Sequence, residues 1–370
     1  MNIKTVTCHD VYNYGASLQA YALLYFLENQ GHNVEIIDYL PLYKEGKYDY
    51  KLENKGLFGK LAYFIPILTP LWARLRYRKL WKFTGRKKAF DEFKNKYLKL
   101  TQIRYHELND FINNPISADC FIAGSDQIWN PRYGNGTDPV YYCGFANHQT
   151  RCISYAASFG ISSLSDEEKK IISPLLKNFD AISIREKTGT KLAESMGFKA
   201  TDVCDPVFLL SAKEWESICK KQIKKKYLLL YDFNNDNPKL KKISQQIAKE
   251  KGLIIISIND GMTIPYADVN INNAGPIEFI EYIRNAEFVI ASSFHATAFS
   301  IIFHRNFYSF PLLGHKNNSR MEDLLNLTGL ENRFDPNTIN LDPINYSIVD
   351  SKIQPLISFS KNWLTQNLQK

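Results

Sequence analysis

Short apolar runs that stop at small or polar residues recur through this chain, with helix-period segments between them. Residues 3–8 (I-K-T-V-T-C) alternate and read as a strand. Asn13-Tyr14-Gly15 makes a turn, and Leu18, Tyr21, Ala22, Leu24, Tyr25 and Leu27 then fall at helical spacing. Gln30-Gly31-His32 stops that helix, and Val34–Ile37 is a second strand ending at Asp38. Strand, glycine turn, helix and strand in this order make a βαβ unit of the doubly wound type. The rhythm breaks over residues 44–100 and resumes after residue 115. Strands are expected at Asp119–Ala123, Cys152–Ala156 and Asp180–Ile184, then a helix at Lys187–Met196 closed by Gly197. Val203-Cys204-Asp205-Pro206 reads as the exit from this half. A second α/β series follows: strands at Tyr227–Tyr231, Leu253–Ile258, Phe288–Ala291 and Phe307–Phe310, with helices at Pro238–Lys251, Pro276–Asn285 and Arg320–Leu327. Residues 353–368 have a helical pattern. The expected architecture is α/β: an N-terminal domain over residues 1–205 with an insertion at about 44–100, a C-terminal domain over 206–350, and a helix over 351–370 that crosses back to the first domain.

Composition adds two constraints. With 45% hydrophobic and 23% charged residues among 370, the chain is long enough and apolar enough for two cored domains. Six cysteines without a C-x-x-C pair or zinc spacing suit reduced, buried thiols, and the N-terminus reads straight into a strand rather than a signal peptide, so a cytoplasmic location is expected. The net charge of +8 is unevenly placed. Lys44–Lys99 holds 16 Lys/Arg against 5 Asp/Glu, a balance of +11, which leaves the remainder at −3. A uniformly basic nucleic-acid-binding surface would not look like this. The run Leu57–Ala73, broken by Pro66 and Pro70, is too short to span a bilayer. Its apolar residues and the basic-aromatic stretch Arg74–Phe83 suit docking on an anionic membrane surface, and equally suit a pair of solvated helices packed on the domain.

The densest chemistry lies at Val289–Arg305 (V-I-A-S-S-F-H-A-T-A-F-S-I-I-F-H-R). A buried strand there delivers Ser292-Ser293-Phe294-His295 to the start of a helix, where unpaired N–H groups and the helix dipole favour an anion. His295 at that mouth can carry a proton or a charge. Arg185, Arg320 and Lys316 also fall at strand or loop ends, and an arginine fork matches carboxylate or phosphate oxygens. Taken singly, each cation would be a surface ion pair and His295 a satisfied core residue. Asn13, Tyr14, Ser125, Asp126, Gln127, Trp129 and Ser158 gather at strand ends in the first half. They suit hydroxyl recognition and stacking on a sugar, with loop capping as the plain alternative. There is no G-x-x-x-x-G-K-[ST] loop, G-x-G-x-x-G fingerprint, H-E-x-x-H or G-x-S-x-G elbow.

These segments resemble a known family. Asn13-Tyr14-Gly15-Ala16-Ser17-Leu18-Gln19-Ala20-Tyr21-Ala22-Leu23, Ala123–Pro131, Ile153–Gly160, Ser183–Gly189, Asp205-Pro206-Val207, Ser293–Ser300 and Asn318-Ser319-Arg320 are similar, in order, to motifs of the polysaccharide pyruvyl transferases. The resemblance implies two Rossmann-like domains facing across a cleft, as in GT-B glycosyltransferases. It implies transfer of the pyruvyl group of phosphoenolpyruvate to two hydroxyls of a sugar acceptor in a lipid-linked precursor of capsule or exopolysaccharide, giving a cyclic ketal and phosphate, with no cofactor and no metal. Arg185 and His295 should then bind phosphoenolpyruvate, and either Lys316 or Arg320 should supply a third cation. Asp126 is the candidate base on the acceptor, with Asn13, Tyr14, Gly15, Ser125, Gln127, Trp129 and Ser158 around it. Ser292 stands where many relatives carry Asp. The alternatives are a GT-B glycosyltransferase using a nucleotide-sugar donor and a non-catalytic, membrane-associated scaffold of a polysaccharide assembly complex. In each case no nucleic-acid partner is expected.

Overall fold

A computed structural model describes residues 1–43, 84–232, 237–259, 263–312 and 318–369. Seven strands form a first parallel sheet: β1 (Asn2–Val6), β2 (Asn33–Tyr39), β3 (Leu100–Tyr105), β4 (Cys120–Ala123), β5 (Arg151–Ala157), β6 (Ala181–Ile184) and β7 (Ala200–Asp202). Their order is β3-β2-β1-β4-β5-β6-β7. A second parallel sheet holds β8 (Tyr227–Tyr231), β9 (Ile254–Ile258), β10 (Val269–Ile271), β11 (Phe288–Ala291) and β12 (Asn306–Ser309), in the order β10-β9-β8-β11-β12. The central strands are buried on both faces, as β8 (YLLLY) and β11 (FVIA) show by having no exposed residue.

The strand order reverses once in each sheet, between β1 and β4 in the first and between β8 and β11 in the second. Ligands in open α/β sheets bind outside the strand C-termini at such reversals. The loops after β1 and β4 carry residues 7–13 and 124–129, and the loops after β8 and β11 carry Asp232 and Ser292–His295. The fold therefore aims the marked segments at two crevices before any side chain is considered.

The helix Tyr14–Asn29 shows why the halves stay together. It is apolar nearly all round, with 13 of 16 residues buried, because sheet one covers one side and the second half covers the other. Tyr14 stacks on Phe279 of the helix Pro276–Asn285, ring centroids 4.3 Å apart. Tyr21 packs on Trp215, which meets Phe299 edge-on at 4.9 Å. The terminal helix Tyr346–Leu368 begins against His304 and ends on the first half. There Ser360 Oγ accepts from Cys204 N at 2.9 Å and the Asn367 carbonyl accepts from Arg151 Nε.

Three strands differ from the sequence expectation. β3, β7 and β10 are sheet edges, and their residues are half-exposed or three in number, so they carry little apolar periodicity. Most of the basic segment, residues 44–83, lies outside the described residues. Its described end is the helix Thr84–Tyr97, which uses its cations internally. Arg86 is buried on the Tyr12 carbonyl and Tyr14 hydroxyl, Lys94 pairs with Asp10, and Lys87 and Lys88 pair with Asp91 and Glu92. No helix among the described residues is long and apolar enough to cross a membrane.

A candidate active site between the two sheets

The site is built from strand ends. β5 shifts register against β6 between Ser154 and Ala157, and Ala156 takes a positive φ of 54°. This bulge turns the chain so that the Ala157 carbonyl accepts from Arg185 N at 3.2 Å and Ala157 bridges to Asp126. Asp126 itself sits at φ 77°, a left-handed position that aspartate tolerates better than most residues. The loops after β4, β5 and β6 thus converge on the Arg185 guanidinium, whose side chain is 1% exposed.

Arg185 Nη1 donates to Asp205 Oδ2 at 2.5 Å and to Ser125 Oγ at 3.3 Å. Nη2 donates to Asp126 Oδ1 at 3.3 Å. Its buried Nε has no hydrogen-bond partner among the described residues and lies 4.0 Å from Glu186 Oε2, which has none either. The other oxygen of Glu186 accepts from Ser158 Oγ (3.0 Å), Phe159 N (2.9 Å) and Gly160 N (3.2 Å), so Glu186 pins the loop beyond β5. Burial works against the charge on Arg185, but Asp205, Asp126 and Glu186 hold its pKa above the usual range.

The second half supplies His295. Ser293 caps the helix Phe294–Ile302, and the imidazole two residues after the cap faces the first half. Nε2 is 3.6 Å from Asp205 Oδ2 and has no hydrogen-bond partner among the described residues. On its other side the ring lies on Gly15: a Cβ there would fall 1.9 Å from Nδ1. Phe294 stands between the two guanidinium groups, with Arg185 and Arg320 at 5.5 and 5.8 Å from its centroid. Arg320 is the second residue of the helix Ser319–Thr328. Its Nε is buried without a partner among the described residues, and burial together with Arg185 pulls its pKa down to about 10. Burial would raise the pKa values of Asp126 and Asp205. In both, His295 and Arg185, joined at Asp126 by Arg320, outweigh burial and keep the carboxyl below its ordinary range.

The cluster therefore sets Arg185, Arg320 and His295 against Asp126, Asp205 and Glu186, with donors left unsatisfied on all three bases. Such a set binds an anion and manages a proton beside it. Lys316 lies outside the described residues. The structure brings Arg185, Arg320, His295, Asp126 and Ser125 together. It places Asn13 as the cap of the helix Tyr14–Asn29, accepting from Ala16 N at 3.1 Å, and leaves Gln127 half-buried, accepting from Asn130 Nδ2 at 2.8 Å.

Trp129 is a correction. It is fully buried, its ring stacks on Tyr142 at 5.3 Å, and its Nε1 donates to the Tyr141 carbonyl. Both its face and its polar edge are used inside the core, so it supports the loop after β4 from behind and has no face for a sugar. Tyr14 is likewise buried, donating to the Ala274 carbonyl at 3.0 Å, and the Ser158 hydroxyl serves Glu186. Their contributions are to the walls. The structure adds two residues to which the sequence alone assigns no site role: Glu186, which appears only within the Ser183–Gly189 motif, and Asp205, which appears only within Asp205-Pro206-Val207 and at the exit from the first half. At Ser292, the hydroxyl donates to Asp232 Oδ1 at 2.9 Å, so a carboxylate from β8 stands beside that serine. No cluster of three or more His, Cys, Asp or Glu side chains able to hold a metal occurs among the described residues.

A family model described as polysaccharide pyruvyl transferase matches residues 13–312. No curated protein matches the sequence. Among solved structures, the fold is similar to a putative UDP-N-acetylglucosamine 2-epimerase from Listeria monocytogenes (TM-score 0.51, 8% identity, 98% of this chain and 89% of that one). It is also similar to the UDP-GlcNAc 2-epimerase of Methanocaldococcus jannaschii in complex with UDP-GlcNAc and UDP (0.50, 11%, 100% and 99%). The S. aureus MnaA–UDP structure is a third such case (0.50, 10%, 96% and 88%). At these identities the likeness establishes the fold, two Rossmann-like domains of GT-B type, and nothing of the substrate.

Proposed function

Since the chain belongs to the polysaccharide pyruvyl transferase family, we propose that it moves the pyruvyl group of phosphoenolpyruvate onto two hydroxyls of one sugar in a lipid-linked polysaccharide precursor. The observation that carries this reading is the convergence of Arg185, Arg320 and His295 from opposite halves with unsatisfied buried nitrogens on each. Phosphoenolpyruvate presents a phosphate and a carboxylate on one small carbon frame, which calls for several cations at one point.

The steps follow from where the charges sit. A protonated His295 places a proton near the methylene carbon, and the adjacent carbon becomes electrophilic. An acceptor hydroxyl adds there and gives its proton to a base, for which Asp126 is the candidate because it is ionised and half-buried at the cleft. The carbon–oxygen bond to phosphate breaks, and Arg185 and Arg320 stabilise the charge that gathers on the leaving group. The second hydroxyl closes the ketal. One diol proton ends on the new methyl group and the other on phosphate, so no further reactant is needed.

Mass spectrometry of acceptor oligosaccharides incubated with phosphoenolpyruvate tests the reading. The expected products are the ketal-bearing acceptor and free phosphate in equal amounts, both lost in His295→Ala. Modification by a nucleotide sugar instead would replace this reading with a glycosyltransferase. The membrane part of the proposal rests on the charge of residues 44–83, since the described cations of the segment are largely paired. Sedimentation with anionic liposomes should show binding at low salt and release at high salt; no binding in either removes that part.

A further inference from the structure

Asp205 has no role in the scheme above, yet it occupies the centre of the site. It follows β7, where the chain leaves the first half, and its side chain is fully buried. Its two oxygens do different things. Oδ1 accepts from Val207 N at 3.1 Å and caps the short 3-10 turn Pro206–Leu209. Oδ2 takes Arg185 Nη1 at 2.5 Å, Ser125 Oγ at 3.4 Å, and faces His295 Nε2 at 3.6 Å. Arg185 belongs to the first half and His295 to the second.

We propose that Asp205 is the positioning residue of this site, a single carboxylate oxygen that sets the spacing of Arg185 and His295 across the cleft and holds the proton on His295 until it is transferred. The proposal rests on the pyruvyl-transfer reading for its chemistry but on geometry alone for the bridge. A capping role by itself would use only Oδ1 and would not require the other oxygen to point into a cluster of cations. Among the described residues, the charged groups clustered with His295 are the carboxylates of Asp205 and Asp126, whose sign favours a charged imidazole, and the guanidinium groups of Arg185 and Arg320, whose sign opposes it. Gly15 and Phe294 line the remaining faces. Asp205 is thus the fully buried carboxylate that reaches both Arg185 and His295.

The test uses the full-length enzyme and Asp205→Asn, which keeps an oxygen for the Val207 cap and removes the charge. Two readouts are taken. In phosphate release from phosphoenolpyruvate and acceptor, kcat should fall about 30-fold or more while KM for phosphoenolpyruvate moves less than about threefold, and the alkaline limb of the rate profile should shift by about one unit to lower pH. A lower rate with an unmoved profile would reduce Asp205 to a structural cap. In amide hydrogen exchange without substrate, residues 183–189 and 293–299 should lose protection together; unchanged exchange in either segment overturns the bridge. Asp205→Ser, which retains a capping hydroxyl, repeats both measurements should the asparagine variant fold poorly. If wild-type enzyme shows no turnover of phosphoenolpyruvate, the function assigned above fails while the exchange experiment still decides the bridge.

Discussion

Arg185→Ala is expected to lose phosphate release by about a thousandfold and to be the most destabilising single change in the site. The activity term follows from removing a preorganised cation from the leaving phosphate, for which losses of about 10²–10³ are usual. The stability term has a separate cause. Arg185 is the cation shared by Asp126, Asp205 and Glu186, all placed in or beside the core. Deleting one partner of a buried ion pair costs about 3–5 kcal/mol because the remaining charge stays buried. In the wild-type protein the carboxyl of Asp205 is held low, so its share of stability is present at neutral pH and is lost as pH falls toward that low value. In Arg185→Ala the sign reverses: the orphaned carboxylates bind protons more tightly when folded, and the variant should regain stability as the pH is lowered from 7 to 5. Arg185→Lys separates the two effects. It restores a charge for the carboxylates but not the planar fork, so it should melt within a few degrees of wild type and still release phosphate at least tenfold slower. Thermal unfolding at pH 5 and 7, with phosphate release on the same samples, checks both. A wild-type rate in either variant removes Arg185 from the donor site.

The strand ends that carry the chemistry were readable in the sequence because buried parallel strands are short apolar runs with abrupt polar stops. β4, β6, β8 and β11 have this form, and each stops where a site residue or its neighbour begins. The edges were not readable, since β3 faces solvent over residues 102–104 and β7 and β10 have three residues each. Polar residues were harder to sort. Asn13, Ser125, Ser158 and Trp129 share one local signature, a polar or aromatic residue after a strand, but their fates depend on partners far along the chain. Trp129 is claimed by Tyr142 and Tyr141, and Ser158 by Glu186. Asp205 reads as the exit from the first half, and there it caps the turn that follows. That its second oxygen meets residues 20 and 90 positions away is a fact of the sheet order and of the packing between halves, which local spacing does not encode.

Gly15→Ala makes the packing between halves testable with one methyl group. Gly15 is the second residue of the helix Tyr14–Asn29, where alanine is the better helix former by about 1 kcal/mol, so a local account predicts a stabler and fully active protein. The structure gives the opposite activity. The new Cβ would stand 1.9 Å from Nδ1, 2.3 Å from Cε1 and 2.5 Å from Cγ of His295. Those atoms belong to a ring and cannot slip past the methyl as a flexible chain end would. Either the imidazole rotates away from Asp205, or the two halves part at a seam that Tyr14, Phe279, Tyr21 and Trp215 otherwise close. The first outcome leaves the melting temperature near wild type and lowers phosphate release by about a hundredfold, the usual worth of a displaced acid–base group. The second lowers the melting temperature as well, because the shared apolar core opens. A Gly15→Ala protein with wild-type turnover would show that His295 does not work in the position seen here. Loss of activity at unchanged stability would show that a glycine in the first half is there to admit a histidine from the second.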